Sequence, residues 1–325
     1  MKKPQVNSPF PDSHRPSPDE PRPSRARSDP STTSETKRVT DVRLPRHLTP
    51  EKYHLELVPF IVPGNLTIRG KVGIEMLCSL AASNVTLHAV DIEIENSTLT
   101  LENLDGNEIV QIASYVYDVA REFLILHLEQ KLRVGSRYLL SLAFTSKLRD
   151  DLTGFFVSSY EDQKTGKKEQ MAISQFEIAH ARKAFPCFDE PGLKATYNVS
   201  LGRTNEMTSL SNMPVLRAGI PMQGSDQYVW DHFQESVKMS TYLVAFVISK
   251  FDFLQTTTDS GVTFRVWAQP NSLDQLTYAS EGGPKLLTFF EQYFNIPFPL
   301  PKQDMIAVPD FGAGAMENWG LIVYK

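Results

Sequence analysis

Cysteine is nearly absent: the 325 residues contain two, Cys78 and Cys187. Two cysteines cannot build a disulfide framework, and a pair of buried thiols is the expected state. Long apolar runs are also missing. None approaches the roughly 18 to 20 residues of a membrane-spanning helix. No leader is readable either, because Lys2 and Lys3 run into Pro, Ser and Asp rather than an apolar core. An excess of positive charge is lacking. The net charge is −5, so a nucleic-acid-binding surface is not expected. Histidine is sparse. The seven lie at 14, 47, 54, 88, 127, 180 and 232, and no two are four apart. A zinc-binding His-Glu-x-x-His helix is therefore excluded within this sequence. No internal repeat is evident.

What is present begins with proline. Residues 1–50 hold ten of the 22 prolines, with many serines and charges of both signs. Residues 1–43 cannot bury enough apolar area to offset the entropy of ordering, and are read as a disordered tail. From Leu44 to about residue 250 the pattern alternates as strands do: Tyr53, Leu55 and Leu57 against His54 and Glu56, then Tyr138, Leu140, Leu142 and Phe144. Gly64-Asn65 and Asp105-Gly106-Asn107 mark turns. Strands at this spacing without intervening helices predict stacked sheets. A helix is expected over 273–294, with Leu286, Leu287, Phe290 and Phe294 on one face and a break at Gly282-Gly283-Pro284.

Two stretches interrupt the alternation. Gln175-Phe176-Glu177 leads through His180 and Arg182 to Phe185-Pro186-Cys187-Phe188-Asp189-Glu190-Pro191. A helical turn at 178–184 and a packed loop are expected there. Asp189 and Glu190 read as structural acids paired with Arg182 or Lys183, rather than as a catalytic pair. His180 has no partners at ligand spacing, and Cys187 reads as a packed thiol. The second stretch is Pro309-Asp310-Phe311-Gly312-Ala313-Gly314-Ala315-Met316-Glu317-Asn318-Trp319-Gly320. Its small residues bare the backbone around one carboxylate and one carboxamide. That chemistry suits a cationic, peptide-like ligand lying along the chain. A phosphate loop is excluded, because Glu317 stands where the third glycine would be.

Gly314-Ala315-Met316-Glu317-Asn318 resembles the exopeptidase motif of the M1 family of zinc aminopeptidases. The flanks Asn295-Ile296-Pro297-Phe298-Pro299 and Trp319-Gly320 fit, as do the 175–191 block and Leu152-Thr153-Gly154-Phe155. The resemblance covers about 44–325 and lies nearest the aminopeptidase N, aminopeptidase A and oxytocinase-like branch. It implies a mainly β fold: a large saddle-like antiparallel N-terminal β-domain over 44–250, then the start of a thermolysin-like α+β catalytic domain over 251–325. It implies release of N-terminal residues from peptides by a zinc-activated water. Glu317 and Glu177 match positions that grip the substrate's α-ammonium group. Gln175 and Met316 match the pocket for the first side chain, and Gly314 and Ala315 the backbone that pairs with substrate; Asn318 completes the motif.

The departure is the missing metal site. The zinc ligands, general base and transition-state tyrosine of relatives fall C-terminal to the motif. The chain as given is therefore expected to recognise peptide N-termini, to bind no catalytic Zn2+ and to hydrolyse nothing alone. The alternative is an inactive short isoform acting as a peptide- or protein-binding module. Four sequons, at Asn65, Asn84, Asn96 and Asn198, point to a glycosylated, extracellular or plasma-membrane parent. In such a parent, membrane attachment would require an anchor outside this sequence, and a homodimer is an option.

Overall fold

Tyr53, Leu55 and Leu57 are buried along the strand Leu48–Pro59, while His54 and Glu56 are exposed. The two-residue period thus points one face inward, as the alternation predicts. The computed structural model describes residues 41–325 apart from 63, 163 and 164. The tail read over 1–43 lies almost wholly outside the described residues.

The described chain is mainly β, in four sheets. The largest runs, in spatial order, Val215–Pro221, Tyr228–Phe233, Thr196–Thr204, Leu48–Pro59, Thr67–Cys78, Arg137–Lys147, Glu93–Asn103 and Glu108–Ile109. The sheet is antiparallel except between Leu48–Pro59 and Thr196–Thr204, which run parallel with Tyr53 opposite Tyr197. This qualifies the expected antiparallel sheet. Short turns enforce antiparallel neighbours, but the long connection between these two strands does not. The two tyrosine rings stack at 4.8 Å across the parallel pair.

A three-stranded sheet (Asn84–His88, Phe123–Leu128, Ile112–Asp118) shares the first core. A four-stranded sheet orders as Thr208–Ser211, Phe246–Ser249, Lys167–Gln175 and Gly154–Asp162. Its alternate residues serve two cores. Phe155, Ala172, Phe246 and Ile248 join the first. Phe156, Met171, Ile173 and Val247 join a second with Trp267, Ile306, Met316 and Val323. The second core thereby bonds the four-stranded sheet to a five-stranded one: Asp252–Thr257, Thr263–Ala268, Lys302–Ala307, Leu321–Tyr324 and, at its edge, Ala315–Met316.

The expected helix forms as one piece, Thr277–Phe294, after a 3-10 segment Pro270–Leu276. Two details differ from the sequence reading. Pro284 lies inside the helix without breaking it. The face that packs on the sheet carries the small residues, with Ser280 and Pro284 buried. Leu286, Phe290 and Phe294 are instead exposed, and only Leu287 of the expected face packs inward. Gly283 explains the inversion. A Cβ there would meet the Phe264 ring at 2.4 Å, so the bare helix surface is what lets helix and sheet approach.

Candidate functional site

Alternation along the short edge strand sorts the second motif. Met316 and Asn318 are fully buried, whereas Ala315 and Glu317 are exposed. The strand pairs antiparallel with Leu321–Tyr324, Ala315 opposite Tyr324, and its other side is a sheet edge. Just before it, Gly314 is exposed with open space where a side chain would be, and its carbonyl accepts the Lys325 N–H at 3.1 Å. The arrangement presents a free strand edge beside a carboxylate.

Asn318 fixes the turn to the rest of the fold. Its Nδ2 donates to the carbonyls of Tyr242 at 3.5 Å and Val244 at 3.4 Å. Its Oδ1 is buried without a partner. The following turn is held from two further sides. Asn212 Nδ2 donates to Trp319 O at 2.9 Å and to Leu243 O at 2.8 Å. The buried Lys302 Nζ donates to Ser211 O and Gly320 O, and pairs with Asp304 at 2.7 Å. Burial lowers the Lys302 pKa, and Asp304 opposes that shift. The Asp304 carboxylate also takes Arg265, at 2.6 and 2.9 Å. None of these supports is legible from residue type alone; the only signal is a lysine and an aspartate two apart on one strand face, with an arginine on the neighbouring strand.

The first motif lies on the four-stranded sheet. Gln175 ends the strand Lys167–Gln175 and is buried, with its Oε1 unpartnered. Glu177 follows and is exposed. Ser174 Oγ accepts the Phe246 N–H at 2.8 Å, so this strand end meets the 242–246 segment, the same segment that holds Asn318. The structure thus brings Gln175 and Asn318 to one stretch of backbone. Among the described residues neither Glu177 nor Glu317 has a hydrogen-bond or ion-pair partner. Three buried polar atoms without partners, on Gln175, His180 and Asn318, fall within the two motifs, and only three others occur among the described residues. Such atoms are uncommon and gather where a ligand or water supplies the missing bond.

The loop after Glu177 is built as the residue types suggested. A 3-10 turn covers Ala181–Lys183. Asp189 accepts Arg182 Nε at 2.9 Å and Thr241 Oγ1 at 2.7 Å. Glu190 is also buried and paired, but with Arg46 at 2.6 Å and Arg43 at 3.5 Å rather than with Lys183, and it takes the Leu44 N–H as well. Cys187 is a buried free thiol, and burial pushes its pKa well up. Cys78 is likewise free and buried. Burial, with Arg182 nearby, holds the His88 imidazole down at about 3. His88 Nδ1 accepts the Asp189 N–H at 3.3 Å, which places the ring proton on Nε2.

Of the sequon asparagines, Asn65 and Asn96 are exposed, and Asn84 and Asn198 are half-buried. No described helix is long and apolar enough to cross a membrane. Among the described residues no group of three or more His, Cys, Asp or Glu side chains is placed to hold a metal ion. The described residues therefore do not fit a zinc ion.

Comparison with known proteins places these features in a family frame. Residues 49–243 match the peptidase M1 N-terminal domain, and 278–325 match the peptidase family M1 domain. The chain is 39% identical over 287 residues to endoplasmic reticulum aminopeptidase 1 of Rattus norvegicus, covering 88% of this chain and 30% of that protein. It is 35% identical over 300 residues to aminopeptidase N of Canis lupus familiaris, covering 90% and 31%. It is 38% identical over 283 residues to aminopeptidase M1 of Arabidopsis thaliana, covering 87% and 31%. The chain thus spans a little under a third of the length of these relatives.

Proposed function

The chain belongs to peptidase family M1, and on that premise we propose that its exposed carboxylates Glu317 and Glu177 recognise the free amino terminus of a peptide. The observation that carries this is Glu317 itself. It is an exposed carboxylate without a partner, one residue beyond a strand with a free edge. An extended peptide adding to that edge would pair with the backbone of Gly314 and Ala315. Its α-ammonium would then meet carboxylates that hold no competing cation, and charge-assisted bonds of this kind are roughly twice as strong as neutral ones. Gln175 and Met316 would border the first side chain, and the unpartnered Gln175 Oε1 is available to accept a bond. Asn318 positions the turn.

In this reading residues 44–250 are the N-terminal β-domain and 251–325 the beginning of the catalytic domain. The complete enzyme would release N-terminal residues from peptides with a zinc ion held by residues other than those described here. The exposed Asn65 and Asn96 would carry glycans in an extracellular or plasma-membrane parent. The second reading is a non-catalytic peptide- or protein-binding module, which the exposed, unpartnered Glu317 would serve equally, because gripping an ammonium group needs no metal. Both readings share the amino-terminus anchor.

Calorimetry with the purified chain tests that anchor. A peptide with a free amino terminus is expected to bind, and its N-acetylated form to bind at least about ten-fold more weakly, the loss of roughly one charge-assisted bond. Glu317→Gln is expected to lower affinity for the free form alone. Equal binding of the acetylated peptide, or no effect of Glu317→Gln, would overturn the reading.

A further inference from the structure

A separate cleft opens between residues 89–93, 117–123 and 145–150, with a volume of about 990 Å3. Of the motif residues only Lys183, in the 175–191 block, lines it, and neither Glu177 nor Glu317 does. Its size falls at the upper end for small-ligand pockets, roughly 300 to 1,000 Å3, enough for several peptide residues. Five carboxylates and three cationic groups line it, so its field favours a cation.

Most of those charges are already paired. Asp91 meets Arg149 at 3.0 Å, Glu122 meets Arg182 at 2.7 Å, and Asp118 meets Arg121 at 2.6 Å. Lys183 donates to Thr153 Oγ1 at 2.9 Å. What remains is Glu93 and Asp150 on the acidic side and Lys147 on the basic side, each exposed and without a hydrogen-bond or ion-pair partner among the described residues. The free charge in the cleft is therefore also negative.

Three further observations suit a peptide. Ser146 lines the cleft and is 4% exposed, yet its Oγ has no partner. A buried hydroxyl left unpaired is uncommon, and a peptide group would satisfy it as donor or acceptor. Tyr117 and Asp118 belong to the edge strand Ile112–Asp118, whose outer backbone groups have no strand partner. Val119, 85% exposed, offers apolar surface at the rim. Charge, orphan hydroxyl, strand edge and apolar rim fall on one cleft.

We propose that this cleft binds a short, cationic, extended peptide, with Glu93 and Asp150 receiving its basic side chains. The site is independent of the amino-terminus anchor, because it reads side-chain charge and backbone rather than a free terminus.

The probe is an unlabelled tetrapeptide of alternating Lys and Leu, acetylated and amidated so that neither terminus is charged. Its binding to the purified 325-residue chain is followed by isothermal calorimetry. Saturable binding that weakens with salt is expected, and the Glu-Leu counterpart is expected not to compete. Glu93→Gln combined with Asp150→Asn is expected to weaken binding by about ten-fold or more, because two charge-assisted contacts are lost. Both positions are exposed, so the fold is retained, and an unchanged melting temperature checks this. Glu317→Gln is expected to leave the affinity unaltered. No saturable binding, competition by the acidic peptide, or indifference to the double substitution would overturn the proposal. Loss of binding in Glu317→Gln would overturn it too, by assigning the probe to the other site.

Discussion

The ammonium group of Lys302 lies 2.7 Å from the carbonyl oxygen of Gly320, the residue that ends the turn after Glu317. The same ammonium reaches Ser211 O at 2.7 Å, ninety-one positions away in sequence. One buried side chain therefore ties a strand of the four-stranded sheet to the turn that presents the candidate anchor. Desolvation of a lysine is costly, and here it is compensated by two carbonyls and the Asp304 carboxylate.

Replacing Lys302 by Met is expected to destabilise the chain by about 3 kcal/mol, the lower end for breaking a buried pair, because Arg265 stays on Asp304. Urea unfolding checks it. A loss below about 1 kcal/mol would mean that the pair contributes little more than a methionine of similar length.

Gly320→Ala should also destabilise. Gly320 has φ +82°, and an added Cβ would meet Asn212 O at 2.4 Å. The strained conformation alone costs about 1 kcal/mol or more, and the clash with backbone adds to it. The expected readout is a lower melting temperature together with weaker binding of free-terminus peptides. Gly314→Ala, where nothing lies within 4 Å, is the control and should leave stability within about 0.5 kcal/mol.

Acid should weaken the fold through His88. Its folded pKa is depressed to about 3 from 6.5. The unfolded chain therefore binds the proton more readily, and the stability held above pH 6.5 is lost progressively as pH falls towards 3. His88→Asn keeps an acceptor for the Asp189 N–H without a titrating ring. The variant is expected to melt lower at neutral pH but to show a flatter dependence between pH 6.5 and 5, followed by circular dichroism. An unchanged slope would assign the acid sensitivity elsewhere.

Asp189→Ala should be among the most damaging single changes in the 175–191 block. It strips Arg182 Nε and Thr241 Oγ1 of a shared buried acceptor. A loss of about 3 kcal/mol or more is expected in chemical unfolding, with Glu122 still pairing Arg182 and limiting the damage.

The sequence showed the strands well, because one face of each is buried and the period of two survives in residue type, as at Tyr53, Leu55 and Leu57. It showed the structural role of Asp189 for a different reason: an acid in an apolar loop needs a cation, and Arg182 lies seven positions before it. It did not show the parallel pairing of Leu48–Pro59 with Thr196–Thr204, since strand partners joined by long connections leave no local trace. It misjudged the helix face. Aromatic residues there outweigh Gly282, Gly283 and Pro284 on any hydropathy count, whereas close approach to Phe264 selects the small residues. For the candidate anchor, the motif named Glu317 and Asn318, but nothing local marked Asn212, Val244 or Lys302 as their supports. Those supports arrive from distant strands, and the cleft at 89–150 likewise exists only after the sheets assemble.

The alternation at 315–318 has a consequence for sequence length. Met316 and Asn318 are buried and Ala315 and Glu317 exposed because each is one step from the next. Deleting or inserting a single residue there would carry Glu317 into the apolar core beside Ile306 and Val323, and turn Met316 out to water. Substitutions along this strand can be graded, but changes of length cannot. The turn at Gly224, positioned at open space between strands Val215–Pro221 and Tyr228–Phe233, has no such constraint and should accept extra residues.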